Sequence, residues 1–206
     1  MPDQVYEWLE QFQMFMDRGS FADLLLVVFL SALGAPLVVL VHELGHALAV
    51  RARGLPLHAL KVGDEPVVSI IAGSFRMELG RLRGKGEVGG YVLYDGRAAT
   101  PLDALVIALA GPAANLAGAA VTGWLATAMW SSGSVAVMLW LVTLTGVWVA
   151  VANLRVGGEA QDPRTWSDGL WARVAWRGVR AGVGAAPMWR DPHEAASEPP
   201  PQARPS

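Results

Sequence analysis

The sequence predicts a mainly α-helical, polytopic membrane protein, with three membrane-crossing helices as its core and a small cytoplasmic β-structure inserted between the first and second. Three observations carry this. Three apolar segments each reach the roughly 20 residues needed to cross a hydrocarbon core of about 30 Å. Of the 206 residues, 53% are hydrophobic and only 17% charged, where a soluble domain has about a quarter charged. Between the first two segments, the pattern switches to the β-branched, period-two alternation of strands. The chain has no cysteine, which excludes disulfides and thiolate metal sites. A net charge of -2 offers no basic footprint, so no nucleic-acid partner is expected.

Residues 1–20 pair Tyr6, Trp8, Leu9, Phe12, Met14 and Phe15 with Asp3, Glu7, Glu10 and Asp17, the composition of an interfacial segment. They lack the basic start of a cleaved signal peptide. The first crossing segment, Phe21 to Val50, would be about 45 Å long as one helix, so it must tilt or bend. Gly34 and Pro36 are the natural bend point.

Arg51, Arg53, Lys61, Arg76, Arg81, Arg83, Lys85 and Arg97 follow that segment. The short loop at Ser131 has no basic residue, and the N-terminal arm has only Arg18. The positive-inside rule then places the insertion and the C-terminal segment in the cytoplasm and the N-terminus outside, in a cell (plasma or inner) membrane. Within the insertion, residues 54–96, strands are expected at Val67 to Ile71, Phe75 to Leu79 and Tyr91 to Tyr94, the last ending at an Asp95-Gly96 turn. The glycine-rich Gly80 to Gly86 lacks the Lys-Ser/Thr ending and the following helix of a phosphate loop, so it reads as a connection. An edge strand here could accept an extended substrate by β-addition.

The second crossing segment runs from Leu102 to Trp130 and the third from Val135 to Asn153. Four residues separate them, which makes an antiparallel hairpin. The core thus spans residues 21–170. In residues 171–187, Trp171, Val174, Trp176 and Val179 interleave with Arg173, Arg177 and Arg180, as in a basic amphipathic helix at lipid headgroups. Residues 188–206 are rich in Pro, Ala, Glu and Ser and are expected to be disordered. His58 and His193 read as surface residues.

Chemistry concentrates at His42-Glu43-Leu44-Gly45-His46. A helix brings positions four apart onto one face, so His42 and His46 can aim at one metal ion, with Glu43 beside them as the base that takes a proton from water. Ionisable groups are expensive inside a membrane, and three within one turn need a common partner. Asn115, in Ala110-Gly111-Pro112-Ala113-Ala114-Asn115, is a candidate for holding a substrate, as is Asn153 at the end of the third segment. An interhelical hydrogen bond is the alternative role for Asn115. Beyond Asn153, Gly157, Gly158, Pro163 and Ser167-Asp168-Gly169 break helical continuity, so a carboxylate can turn inward.

These motifs, in this order on three hydrophobic segments, resemble the site-2 protease family of intramembrane zinc metalloproteases over roughly Phe21 to Leu170. The resemblance implies a three-helix catalytic core that cleaves transmembrane or membrane-proximal segments of other proteins. It implies one Zn²⁺ per chain on His42, His46 and Asp168, Glu43 as catalytic base, and Asn115 and Asn153 near the substrate. The family's last motif often has Asn and Pro just before Asp-Gly; here Arg155 stands near the expected Pro, and Pro163 is the nearest candidate. Glu65, nineteen residues after His46, is a rival third ligand by its soluble-protease spacing, but Gly63, Pro66 and the β-branched run disfavour a helix there. Transmembrane protein substrates and the lipid bilayer are the expected partners, and a homo-oligomer is left open. The alternatives to an endopeptidase are a non-proteolytic zinc-binding membrane scaffold or chaperone and, less favoured, a metal transporter, for which three spans and no internal repeat are a poor basis.

Overall fold

A computed structural model describes residues 21–63, 65–80, 89–129, 133–156 and 167–182, together with Tyr6, Glu10 and Gln13. The expectations for most of residues 1–20, for the Gly80 to Gly86 connection beyond Gly80, for Pro163, and for the 188–206 tail with His193 fall outside these residues.

The first apolar segment forms one helix, α1 (Phe21–Ala52), which runs on through Gly34 and Pro36. A four-stranded sheet follows: β1 (Leu57–Val62), β2 (Pro66–Ala72), β3 (Phe75–Gly80) and β4 (Gly90–Tyr94). The strand order is β2-β3-β1-β4, so β2 and β4 are the edges. β2 and β3 form an antiparallel hairpin, with Ser69 opposite Glu78 and Ile70 opposite Met77. β3 runs parallel to β1, with Leu60 opposite Met77, and β4 runs antiparallel to β1, with Leu60 opposite Val92. β1 is the strand that sequence reading did not single out, and it lies in the interior of the sheet. Its Leu60 and Val62 are buried against Val39 and Ala47 of α1, which fixes the sheet to the helix that carries both candidate histidines.

α2 (Pro101–Ala128) opens with a capping box: the Thr100 side chain accepts from the Asp103 N–H, and the Asp103 carboxylate accepts from the Thr100 N–H at 2.9 Å. Pro101 stands at the start, where its missing N–H removes no helical bond. Arg53, just past α1, pairs with the same Asp103 and ties the end of one helix to the start of the next. α3 (Ser134–Leu154) packs back along α2, and the Thr122 and Thr143 hydroxyls hydrogen-bond across the pair at 2.7 Å. A last helix, α4 (Asp168–Arg180), leans on α2 and α3.

Ala49 and Val50 of α1, Leu55, Ala99 and Ile107 of α2 form a buried apolar cluster where helices and sheet meet. Away from it, the outer helix faces are apolar and exposed, including Leu48, Trp124, Leu144 and Trp148. Among the described residues, α2 and α3 are long and apolar enough to cross a membrane. The molecule is thus mainly helical with a small β-sheet.

Candidate metal centre

His42 and His46 lie one turn apart on the inner face of α1 and are 5% and 8% exposed. Their rings meet edge to face, with centroids 4.8 Å apart. The third group arrives from the opposite end of the chain. Ser167 caps α4 by accepting from the Leu170 N–H, so the helix begins at Asp168 and its carboxylate is set at the first position. Gly169 then lies against the end of α3, and a Cβ there would overlap the Leu154 carbonyl and approach the Arg155 oxygen to 2.8 Å. Only a glycine lets the start of α4 sit this close to α3, which places Asp168 over the histidines.

His42 Nε2 stands 2.9 Å from Asp168 Oδ2, His46 Nε2 stands 3.4 Å from Asp168 Oδ1, and the two Nε2 atoms are 3.2 Å apart. Ligands about 2.0–2.1 Å from a tetrahedral zinc ion stand roughly 3.3 Å from one another. The donor set fits as well: two imidazoles and one carboxylate are a combination catalytic zinc sites use. His46 Nδ1 lies 2.7 Å from the Ile107 carbonyl oxygen, an acceptor only. That nitrogen therefore carries the proton, which in a neutral ring leaves the Nε2 lone pair for a metal.

Glu43 is 5% exposed and stays outside this trio. Its carboxylate accepts a hydrogen bond from the Gly90 N–H of β4. It lies next to the possible ligand trio without being a member of it. Gly111 of α2 faces the two histidines; a Cβ built there would lie 2.6 Å from His46 Cε1 and 2.8 Å from His42 Nε2. Asn115, one turn further along α2, is 2% exposed, and its Nδ2 is 3.1 Å from His42 Nδ1.

A cleft of about 560 Å³ opens over the site, with His42, Glu43, His46 and Asp168 on its floor. All of β4 lines one wall, and Ile107, Ala108 and Val149 make the other side apolar. Asn153 lines the cleft, with its Nδ2 donating to the Val149 carbonyl at 3.1 Å, whereas Asn115 lies behind His42 and does not line it. Burial pushes the Tyr94 phenol up to about 12, with the Asp103 carboxylate adding to the effect, so a neutral hydroxyl borders the cleft. Glu65 is exposed just before β2 and is not part of the ligand cluster found among the described residues; His58 is exposed on β1.

Sequence reading missed three contributors. The Ile107 carbonyl and the Gly90 amide act through the backbone, so their side chains carry no signal. Gly111 belonged to a small-residue stretch expected to let helices approach, and what it admits is a pair of imidazoles.

A family model described as Peptidase family M50 matches residues 28–194. No curated protein matches the chain.

Proposed function

Because the chain belongs to peptidase family M50, the site-2 protease family of membrane-associated zinc metalloproteases, we propose that it is an intramembrane zinc endopeptidase, hydrolysing peptide bonds in or near the transmembrane segments of other membrane proteins. The observation that carries this reading is the convergence of His42, His46 and Asp168 beside Glu43 on the floor of a cleft walled by a sheet edge.

In this reading His42, His46 and Asp168 hold one zinc ion per chain, which supplies Lewis acidity to the scissile carbonyl and to the attacking water. Glu43 takes the proton of that water on a carboxylate oxygen and then delivers it to the departing amine. The Gly90 N–H orients the carboxylate for both transfers. The apolar wall of Ile107, Ala108 and Val149 limits bulk water around the reacting groups. Asn153 presents its carboxamide to the substrate backbone.

A helical substrate buries its carbonyls in its own hydrogen bonds and must unwind before attack. The β4 edge that borders the cleft offers replacement backbone partners, so the unwound segment adds to the sheet as a further strand. Gly and Pro in the substrate lower the cost of unwinding.

α1, α2 and α3 cross the membrane in this account, with the N-terminus outside and the sheet and α4 on the cytoplasmic side. Arg173, Trp176, Arg177 and Arg180 form one exposed face of α4, which suits anionic headgroups.

The test is co-expression of wild type or Glu43→Gln with a panel of tagged single-span proteins, scored by gel mobility. A shortened product made by wild type and absent with Glu43→Gln supports the proposal. A product made equally by both removes Glu43 as the base and the proposal with it.

A further inference from the structure

For both histidines to offer Nε2 to a metal, each Nδ1 must carry the proton and find an acceptor for it. His46 has one in the Ile107 carbonyl, at 2.7 Å. For His42 the neighbour at Nδ1 is the Asn115 carboxamide, whose Nδ2 lies 3.1 Å away while its Oδ1 is buried without a hydrogen-bond partner. With Nδ2 toward the ring, one of two problems arises. Either two donors face each other, or His42 keeps its proton on Nε2 and is lost as a ligand. The two ends of a carboxamide are interchanged by a half-turn that hardly alters its shape. That half-turn gives the orphaned Oδ1 to the His42 Nδ1–H and leaves Nε2 with its lone pair toward His46 and Asp168.

We infer that Asn115 is the positioning residue of His42: its Oδ1 accepts the Nδ1 proton, fixes the tautomer in which Nε2 is the ligand, and holds the ring plane toward the metal. The placement on α2 is systematic. Ile107, Gly111 and Asn115 are four apart and so share one face of the helix, which α1 meets with His46 and His42. Ile107 braces His46, Asn115 braces His42, and Gly111 between them leaves room for both rings. α2 thus acts as the second layer of the metal site, and the amide sits on the side of His42 away from the cleft.

This inference rests on the reading of His42 as a zinc ligand. It is tested by chelator competition for zinc with purified full-length protein, comparing wild type, Asn115→Leu and Asn115→Asp. Asn115→Leu keeps the size but removes the acceptor, and its zinc affinity should fall about 10- to 100-fold. Asn115→Asp restores an acceptor at the same place and should bind zinc at least as tightly as wild type. If the amide served only to pack two helices, the buried carboxylate would weaken the site as much as leucine does, and that order would overturn the inference; so would unchanged affinity in Asn115→Leu. A measurement free of variants guards against misfolding: nitrogen NMR of histidine-labelled, zinc-loaded wild type should show His42 bound through Nε2 with the proton on Nδ1. Binding through Nδ1 overturns the inference. Wild type that holds no zinc at all overturns instead the metal-site reading beneath it.

Discussion

Gly111 has no room for a side chain, because a methyl group there would press on both histidine rings. Gly111→Ala should therefore lower zinc affinity by about 10-fold or more, the scale on which supporting groups act at metal sites, while helix content by circular dichroism stays unchanged. The two proposed roles, base and metal ligand, separate by substitution. Glu43→Gln should retain zinc and lose about 10²- to 10⁴-fold in turnover, the range for a general base. His46→Ala should lose both zinc and turnover, with metal content read by mass spectrometry of the purified protein. The two histidines and Glu43 were legible from spacing alone, since four residues along a helix return to the same face. Asp168 was not legible in that way. Its approach depends on the local Ser167 cap of α4 and on Gly169 fitting against the Leu154 carbonyl at the end of α3, which together bring the carboxylate to a histidine 126 residues earlier in the chain. Asn115 was picked out as a polar residue among small ones, but only the fold shows that its amide turns to His42 and away from the cleft.

Among the elements, the helices were legible to within a few residues because their apolar runs are long: Leu102 to Trp130 became Pro101–Ala128, and Val135 to Asn153 became Ser134–Leu154. The β2 and β3 strands followed from β-branched residues and alternation. β1, Leu57–Val62, carries Leu, His, Ala and Lys, which do not favour strand, and tertiary contact decides it by burying Leu60 and Val62 on α1. Its place between β3 and β4 matters for the site, because β1 holds β4 and its Gly90 amide over Glu43. The α2–α3 hairpin is joined by the Thr122–Thr143 hydrogen bond. A double-mutant cycle with Thr122→Val and Thr143→Val, read by thermal unfolding in detergent, should return a coupling of about 0.6 kcal/mol, the average for such bonds between helices in membranes. No measurable coupling would mean that packing alone joins the pair.

At the scale of the whole molecule, the sheet and α4 close over one end of a bundle whose outer faces are apolar, and the cleft lies between them. The proposed topology puts that end in the cytoplasm, and a chain without cysteine makes it directly testable. In intact cells, a membrane-impermeant thiol reagent should label Ser132→Cys, in the α2–α3 connection, and should reach Ser74→Cys, in the β2–β3 turn, only after the membrane is opened. The reverse pattern would invert the topology. The proposed mechanism makes a further demand on the substrate, which would have to leave its helix to lie along β4, the strand that lines the cleft beside Glu43. The most direct measurement of this account is therefore made with purified wild type and Glu43→Gln, each reconstituted with a single-span substrate, mapping the product ends by mass spectrometry and measuring zinc in the same preparations. Both proteins should carry one zinc per chain, and wild type alone should hydrolyse a peptide bond within or beside the spanning segment. Cleavage by both proteins, or cleavage by wild type free of zinc, would contradict the proposed function.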